Sequence, residues 1–343
     1  YGKGNAGKIE IQATEGVNVG GELTSRVNDK AVGDSGGITI DTSTLTLEND
    51  GIISASTFGK GDAGKIEIQA TEGVNVGGEL NSRVNDKAVG NSGGITIDTS
   101  TLTLENDGRI TADTYGKGDA GKIEIQATEG VNVRRRLNSR VTATGEGNSG
   151  GITIDTSTLT LENGGLISAS TFGKGNAGKI EIQATEGVNV GGELTSRVND
   201  KAVGDSGDIT IDTSTLTVEN GGIINASTFG KGNAGNVAIK ASQGVTVGGA
   251  LTSGVFDTGE GNGGSITIDT STLTLENDGI INASTTGKGN AGDINIKARN
   301  ITIDQSGVYS FALGDGEGKG GNININTSNL TLKNGIIGTA TDG

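Results

Sequence analysis

The chain has 343 residues, 64 of them Gly, and its 26 Lys plus Arg stand against 41 Asp plus Glu for a formal charge of −15. It has no Cys, His, Met, Pro or Trp, which excludes disulfides, thiolate nucleophiles, Ser-His-Asp triads and the usual zinc sites. Its acidity and its five Phe and three Tyr make it a poor partner for nucleic acid, and no apolar run approaches the ~18 residues of a membrane-spanning helix.

Taken in chain order, the apolar stretches are short and alternate with polar residues. The spacing predicts strands near 9–13, 17–19, 23–27, 38–42, 45–47 and 53–57. Ile38-Thr39-Ile40-Asp41 and Leu45-Thr46-Leu47-Glu48 show the period of two. Their Ile, Val and Thr are β-branched and suit strands. Turn formers separate them, as at Glu15-Gly16, Gly20-Gly21, Asp34-Ser35-Gly36-Gly37 and Asn49-Asp50-Gly51. No window carries an apolar stripe long enough for a helix.

The set then repeats. Gly-Lys-Gly-(Asn/Asp)-Ala-Gly begins at Gly2, Gly59, Gly116, Gly173, Gly230 and Gly287, in steps of 57. The copies are 2–58, 59–115, 116–172, 173–229, 230–286 and 287–343, and Tyr1 closes the phase of a copy upstream. A fixed period of this kind marks a solenoid or array. In the last copy Ile301-Thr302-Ile303 falls one place earlier than Val245-Thr246-Val247 does in the copy before. Each copy holds a weaker inner repeat, because Ile9 aligns with Ile38 and Ile38 with Ile66. A unit of about 28 residues with three short strands cannot bury a face alone, and stacking buries it. The expected fold is all-β: a single continuous right-handed parallel β-helix over 1–343. About two three-stranded coils per repeat give about twelve coils, a rod of about 55–60 Å. Three coils of 19 residues remain the alternative, although that cut sets Gly21 opposite Ile40.

The inward set is Ile9, Ile11, Val17, Val19, Leu23 and Val27 on one coil. On the next it is Ile38, Ile40, Leu45, Leu47, Ile53 and Ala55. Arg109 replaces Ile52 and Asp113 replaces Ser56, so both positions are expected to face outward. The lack of Pro suits strands whose every N–H is paired.

The run Gly36-Gly37-Ile38-Thr39-Ile40-Asp41-Thr42, with Leu45-Thr46-Leu47-Glu48-Asn49 and Ser54-Ala55-Ser56-Thr57, resembles the passengers of filamentous-haemagglutinin-like exoproteins of cyanobacterial type. The resemblance covers essentially the whole chain. It implies a right-handed parallel β-helix, two-partner secretion through an outer-membrane transporter, and a place at the cell surface or outside the cell. That family's N-terminal secretion domain is not visible, nor is an initiator Met or a signal-like start, so a mature product or a fragment is expected.

Candidate chemistry is thin. Glu10, Asp41 and Glu48 recur as Glu67, Asp98 and Glu105, a surface property rather than the unique acid-base pair a glycosidase needs. No catalytic, cofactor-binding or metal-ligating residue is assigned, and no cofactor is expected. The loops Asp257-Thr258-Gly259-Glu260-Gly261-Asn262 and Gly314-Asp315-Gly316-Glu317-Gly318 have the oxygen-rich composition of Ca²⁺ loops without the tandem spacing of calcium β-rolls. Arg134-Arg135-Arg136 replaces Gly77-Gly78-Glu79, and the turn is expected to open or shift there. Thr44-x-Thr46 has the form of an ice-binding row, broken on alternate coils by Gly16 and Asn18. Phe58 is expected to cover Val32 or Val89. The Asn-x-Ser/Thr sites at Asn225, Asn282, Asn300, Asn326 and Asn329 are what composition predicts. The expected function is a non-catalytic structural rod of an extracellular fibre or adhesin stalk, with end-to-end self-association. The alternative is an adhesive module that engages glycans or a cell surface through a recurring face. Neither nucleic acid nor membrane insertion is expected.

Overall fold

The computed structural model describes residues 2–313 and 318–341. They form an all-β parallel solenoid, with no helix among the described residues. The chain divides into two compact units, Tyr1–Ser157 with Gly165–Gly178, and Thr158–Gly164 with Lys179–Gly343.

Each coil has one long and one short strand. The first unit contains β1 (Ile9–Val19), β2 (Glu22–Thr24), β3 (Ile38–Leu47), β4 (Ile52–Ser54), β5 (Ile66–Val76), β6 (Glu79–Asn81), β7 (Ile95–Leu104), β8 (Arg109–Thr111), β9 (Ile123–Val133) and β10 (Arg136–Asn138). The unit boundary falls within β11 (Ile152–Leu161), and β12 (Leu166–Ser168) completes the first unit. The second contains β13 (Ile180–Val190), β14 (Glu193–Thr195), β15 (Ile209–Val218), β16 (Ile223–Asn225), β17 (Val237–Val247), β18 (Ala250–Thr252), β19 (Ile266–Leu275), β20 (Ile280–Asn282), β21 (Ile294–Asp304), β22 (Gly307–Ala312), β23 (Ile323–Lys333) and β24 (Ile336–Thr341). Within each unit long strands pair with long and short with short, all parallel.

Ile9 pairs with Ile38 and Ile38 with Ile66. The coil is therefore 29 and then 28 residues, which eliminates the 19-residue cut. Three expectations need correction. The segments predicted as 9–13 and 17–19 are one strand, β1, and those predicted as 38–42 and 45–47 are one strand, β3, because the residues between them remain extended, so a coil has two strands rather than three. Of the third predicted strand, 23–27, only 23–24 lies in a regular strand, β2, and beyond it Val27 makes an isolated bridge to Thr57. With twelve long strands among the described residues, the chain returns to the long-strand sheet eleven times, about eleven turns rather than twelve full coils.

The extra residue of the 29-residue coil is a bulge. Register slips between Ala13 and Gly16 against Thr42 and Thr44, and the same slip recurs between Ala241 and Gly244. It is missing where β19 pairs β21, since Thr270 meets Ala298 and Thr272 meets Asn300. Loss of that bulge is why Ile301-Thr302-Ile303 comes one place early.

The core follows the alternation. Ile38, Ile40, Leu45, Leu47, Ile53 and Ala55 are all fully buried. Their counterparts Ile9, Ile11, Val17, Val19 and Leu23 on the first coil are half-buried, having neighbours on one side alone. The outward assignment fails at one place. Ile52 is half-buried and Arg109 exposed, as expected, but Ser56 and Asp113 are buried. The chain turns a corner after β4, so period-two alternation ends at Ser54 and Ala55, Ser56 and Thr57 all turn inside.

A second interior row alternates Ser with Ala: Ser25, Ala55, Ser82, Ala112 and Ser139 in the first unit. Each Ser joins two coils. Ser82 Oγ donates to Gly64 O at 2.9 Å and accepts from Gly93 N at 3.1 Å. Ser25 does the same with Gly7 O and Gly36 N. On the Ala coils the loop closes backbone to backbone, with Gly64 N donating to Ala55 O at 2.7 Å. Hydroxyl and methyl thus alternate because the loop-closing bond alternates.

Candidate functional site

The Gly-Lys-Gly-(Asn/Asp)-Ala-Gly loop and, on the alternate coils, its counterpart (Val/Glu)-Gly-(Asp/Asn)-(Ser/Gly)-Gly form one edge of the solenoid. The Gly before the Asn or Asp has a positive φ from Gly4 to Gly289, such as +146° at Gly33 and +137° at Gly61. A Cβ at Gly61 would lie 2.0 Å from Gly33 O, so only Gly fits. The next residue builds a ladder. Asn5 Oδ1 accepts the Asp34 N–H at 2.8 Å, Asp34 Oδ1 accepts Asp62 N–H at 2.9 Å, and Asp62 Oδ1 accepts Asn91 N–H at 2.6 Å. Asn91, Asp119 and Asn148 continue it. In the second unit Asp205, Asn233, Asn262 and Asn290 repeat it. Sequence reasoning missed this ladder. Its signal was present: Asn or Asp holds this loop position from Asn5 through Asn290 on successive coils.

Two residues earlier lies a row of Lys with Val or Glu between. Glu146 reaches Lys117 at 3.0 Å and Lys174 at 3.4 Å, and Glu260 reaches Lys231 at 3.2 Å and Lys288 at 3.7 Å. Hydrogen bonding to Lys117, with its charge and that of Lys174, holds the Glu146 carboxyl below its ordinary value. Lys231 acts first in the same way on Glu260. The carboxylate of the Gly259 loop therefore lies between two ammonium groups. Residues 314–317 lie outside the described residues. No group of three or more His, Cys, Asp or Glu suited to a metal occurs among the described residues.

Asp113 and Arg140 form a buried charge pair. Asp113 is fully buried and accepts from Arg140 N at 2.8 Å and Arg140 Nη2 at 3.1 Å. The Arg140 guanidinium lies 5.7 Å from the Phe172 ring centre, and Arg197 lies equally far from Phe229. At the same corner of an earlier coil Ser56 Oγ accepts from Arg83 N at 3.1 Å. Asp113 is thus a charged version of a recurring polar contact.

The remaining sequence features separate by location. At Arg134-Arg135-Arg136 the corner persists, with Arg134 N donating to Leu104 O at 3.0 Å as Gly77 N does to Leu47 O at 2.7 Å. It loosens one step on, where Arg136 N to Gly108 O is 3.5 Å against 2.9 Å for Glu79 N to Gly51 O. The cause is crowding rather than φ, since a Cβ at Gly78 would stand 2.2 Å from Gly51 O. Arg135 pairs with Asp107 at 3.3 Å and its Nε donates to Asn106 O. Phe58, Val32 and Val89 each keep about two-fifths of their surface exposed, 39%, 43% and 44%, so the expected apolar cluster is not sealed. Phe229 instead packs on Phe256 at 5.8 Å. The Thr row is broken by Gly16 and Asn18 in the first unit, but Thr217, Thr246, Thr274, Thr302 and Thr331 are consecutive in the second. Of the Asn-x-Ser/Thr positions, Asn225 is buried and holds the Ser227 N–H at 2.8 Å, while Asn300, Asn326 and Asn329 are exposed.

No protein-family model, curated protein or solved structure matches the chain.

Proposed function

We propose that the chain is a structural repeat segment of an extracellular fibre or surface adhesin stalk, and that it is not an enzyme. The observation that carries this is the recurrence of the Asn/Asp ladder, whose side-chain bonds join coil to coil in both units. Residues spent on joining identical coils serve length and stiffness. The recurring carboxylates of the outer face serve solubility. The likeness of the Leu-Thr-Leu-Glu-Asn and Ser-Ala-Ser-Thr runs to filamentous-haemagglutinin-like passengers supports secretion through an outer-membrane partner and a place outside the cell. End-to-end association belongs to the same proposal.

Immunogold electron microscopy of the source cells, with antibody raised against this chain, tests the proposal. Label on surface or released filaments is expected. Label confined to the cell interior would refute it.

A further inference from the structure

The two units differ at one row of the loop edge. In the second unit, Asp208 Oδ1 accepts the Asn236 N–H at 2.8 Å, Asn236 Oδ1 accepts the Ser265 N–H at 2.9 Å, and Asp293 Oδ1 accepts the Asn322 N–H at 2.7 Å. The same positions in the first unit are Gly37, Lys65, Gly94 and Lys122. Gly37 has no side chain to offer the Lys65 N–H, and Gly94 has none to offer the Lys122 N–H. Each Gly leaves a notch, and Lys flanks it on both neighbouring coils. A groove of about 400 Å³ opens at the first notch, lined by Lys8, Gly37, Thr39, Asp62, Lys65 and Asn91 among others.

We infer that these notches bind the carboxylates of a linear acidic polysaccharide, a polymer of uronic-acid type. A ligand carboxylate would take the place over Gly37 that the Asp208 carboxylate holds in the second unit. It would accept the Lys65 N–H there, with the Lys8 and Lys65 ammonium groups on either side, a charge-assisted arrangement. Notches two coils apart recur at roughly 9–10 Å, so one straight chain meets Gly37 and Gly94 in turn. An extended peptide repeats its same-side carboxylates at about 6.5–7 Å and falls out of step.

The acidic neighbours do not close the site. Glu67 holds Lys65 at 2.6 Å and Glu124 holds Lys122 at 2.7 Å, but all four side chains are about half exposed, and exposed pairs are worth at most about 1 kcal/mol. Asp62 has its Oδ1 committed to the Asn91 N–H. The chain's net −15 is screened beyond about 8 Å at physiological salt. This role goes beyond the stalk proposal and stands without it.

The test is titration of the full chain with polygalacturonate at low and physiological salt, with dextran and poly-L-glutamate in parallel. Polygalacturonate should bind and weaken as salt rises, dextran should not bind, and poly-L-glutamate should bind about tenfold more weakly. Gly37→Asp should weaken polygalacturonate about tenfold by filling one notch of a multivalent row. The fold should tolerate it: Gly204-Asp205-Ser206-Gly207-Asp208 is Gly33-Asp34-Ser35-Gly36-Gly37 with that one change, and the nearest atom to a Cβ at Gly37 is Lys65 O at 3.1 Å. If its melting changes, Lys8→Gln decides, since Lys8 is exposed and its loss should weaken binding several-fold. No binding by the unaltered chain, unchanged binding in the variants, or equal binding of poly-L-glutamate would each overturn the inference.

Discussion

Replacing Ser82 with Ala tests the interior row directly. Ser82 is fully buried, and its hydroxyl serves Gly64 O and Gly93 N, which belong to successive coils. Ala removes about one oxygen of volume and leaves two polar backbone groups without this partner. Each unsatisfied buried group costs about 1–3 kcal/mol, so two cost about 2–6 kcal/mol. The Ser92 hydroxyl, 3.3 Å from Ser82 Oγ, recovers part of this, which leaves a local loss of about 2–4 kcal/mol. A solenoid need not unfold in one step, so a single global midpoint would dilute the effect. Hydrogen exchange read by mass spectrometry resolves it. Amides around Gly64 and Gly93 should exchange about 30- to 1,000-fold faster, at about 1.4 kcal/mol per tenfold, while peptides of the second unit stay unchanged. Unchanged protection at Gly64 and Gly93 would show that the hydroxyl bridge does not hold the coils together.

Three further experiments probe other layers. Leu45→Asp, at a buried position, should disrupt its coils by burying an unpaired charge, whereas Thr46→Asp, on the exposed side of the same strand, should be nearly silent; equal melts would contradict the in-out assignment. Arg140→Leu should cost about 3–5 kcal/mol by stranding the buried Asp113 carboxylate, and Asp113→Ser, which recreates the Ser56 arrangement, should cost far less; denaturant titration orders the two, and the reverse order would refute the pairing. Thr114→Val should stabilise by about 1 kcal/mol, because Thr114 Oγ1 is buried without a partner and the adjacent coils carry Val84 and Val141 at that bridge; a lower midpoint would show that the hydroxyl has a role the contacts do not reveal.

Much of the fold was legible because two-residue alternation and the 57-residue period are both direct consequences of stacked parallel strands. Ile9, Ile38 and Ile66 align in sequence and pair in space for that reason. What escaped was set by corners and by bonds between coils. Alternation says nothing about Asp113, since inward and outward lose their period at a bend. The bulge at Ala13–Gly16 hides inside an apparent gap between two strands, so β1 looked like two elements. The loop ladder depends on where Asn5 and Asp34 aim their side-chain oxygens, and composition reads those residues simply as turn formers. The notches at Gly37 and Gly94 became visible only against Asp208 and Asp293, side chains that occupy the same row.

A pair of coils, one with interior Ser and one with interior Ala, is the unit from which the chain is extended. Deleting residues 59–115, one whole copy of 57, keeps Ser next to Ala along the row and joins Phe58 to a loop of the same type as the one removed. Deleting residues 59–87, a single coil of 29, sets Ala55 against Ala112 and takes Ser82 with it. Thermal unfolding followed by circular dichroism compares them. The two-coil deletion should keep the midpoint of the full chain, while the one-coil deletion should lower it by at least about 4 °C. Equal midpoints for the two deletions would contradict the claim, and would mean that any coil can follow any other.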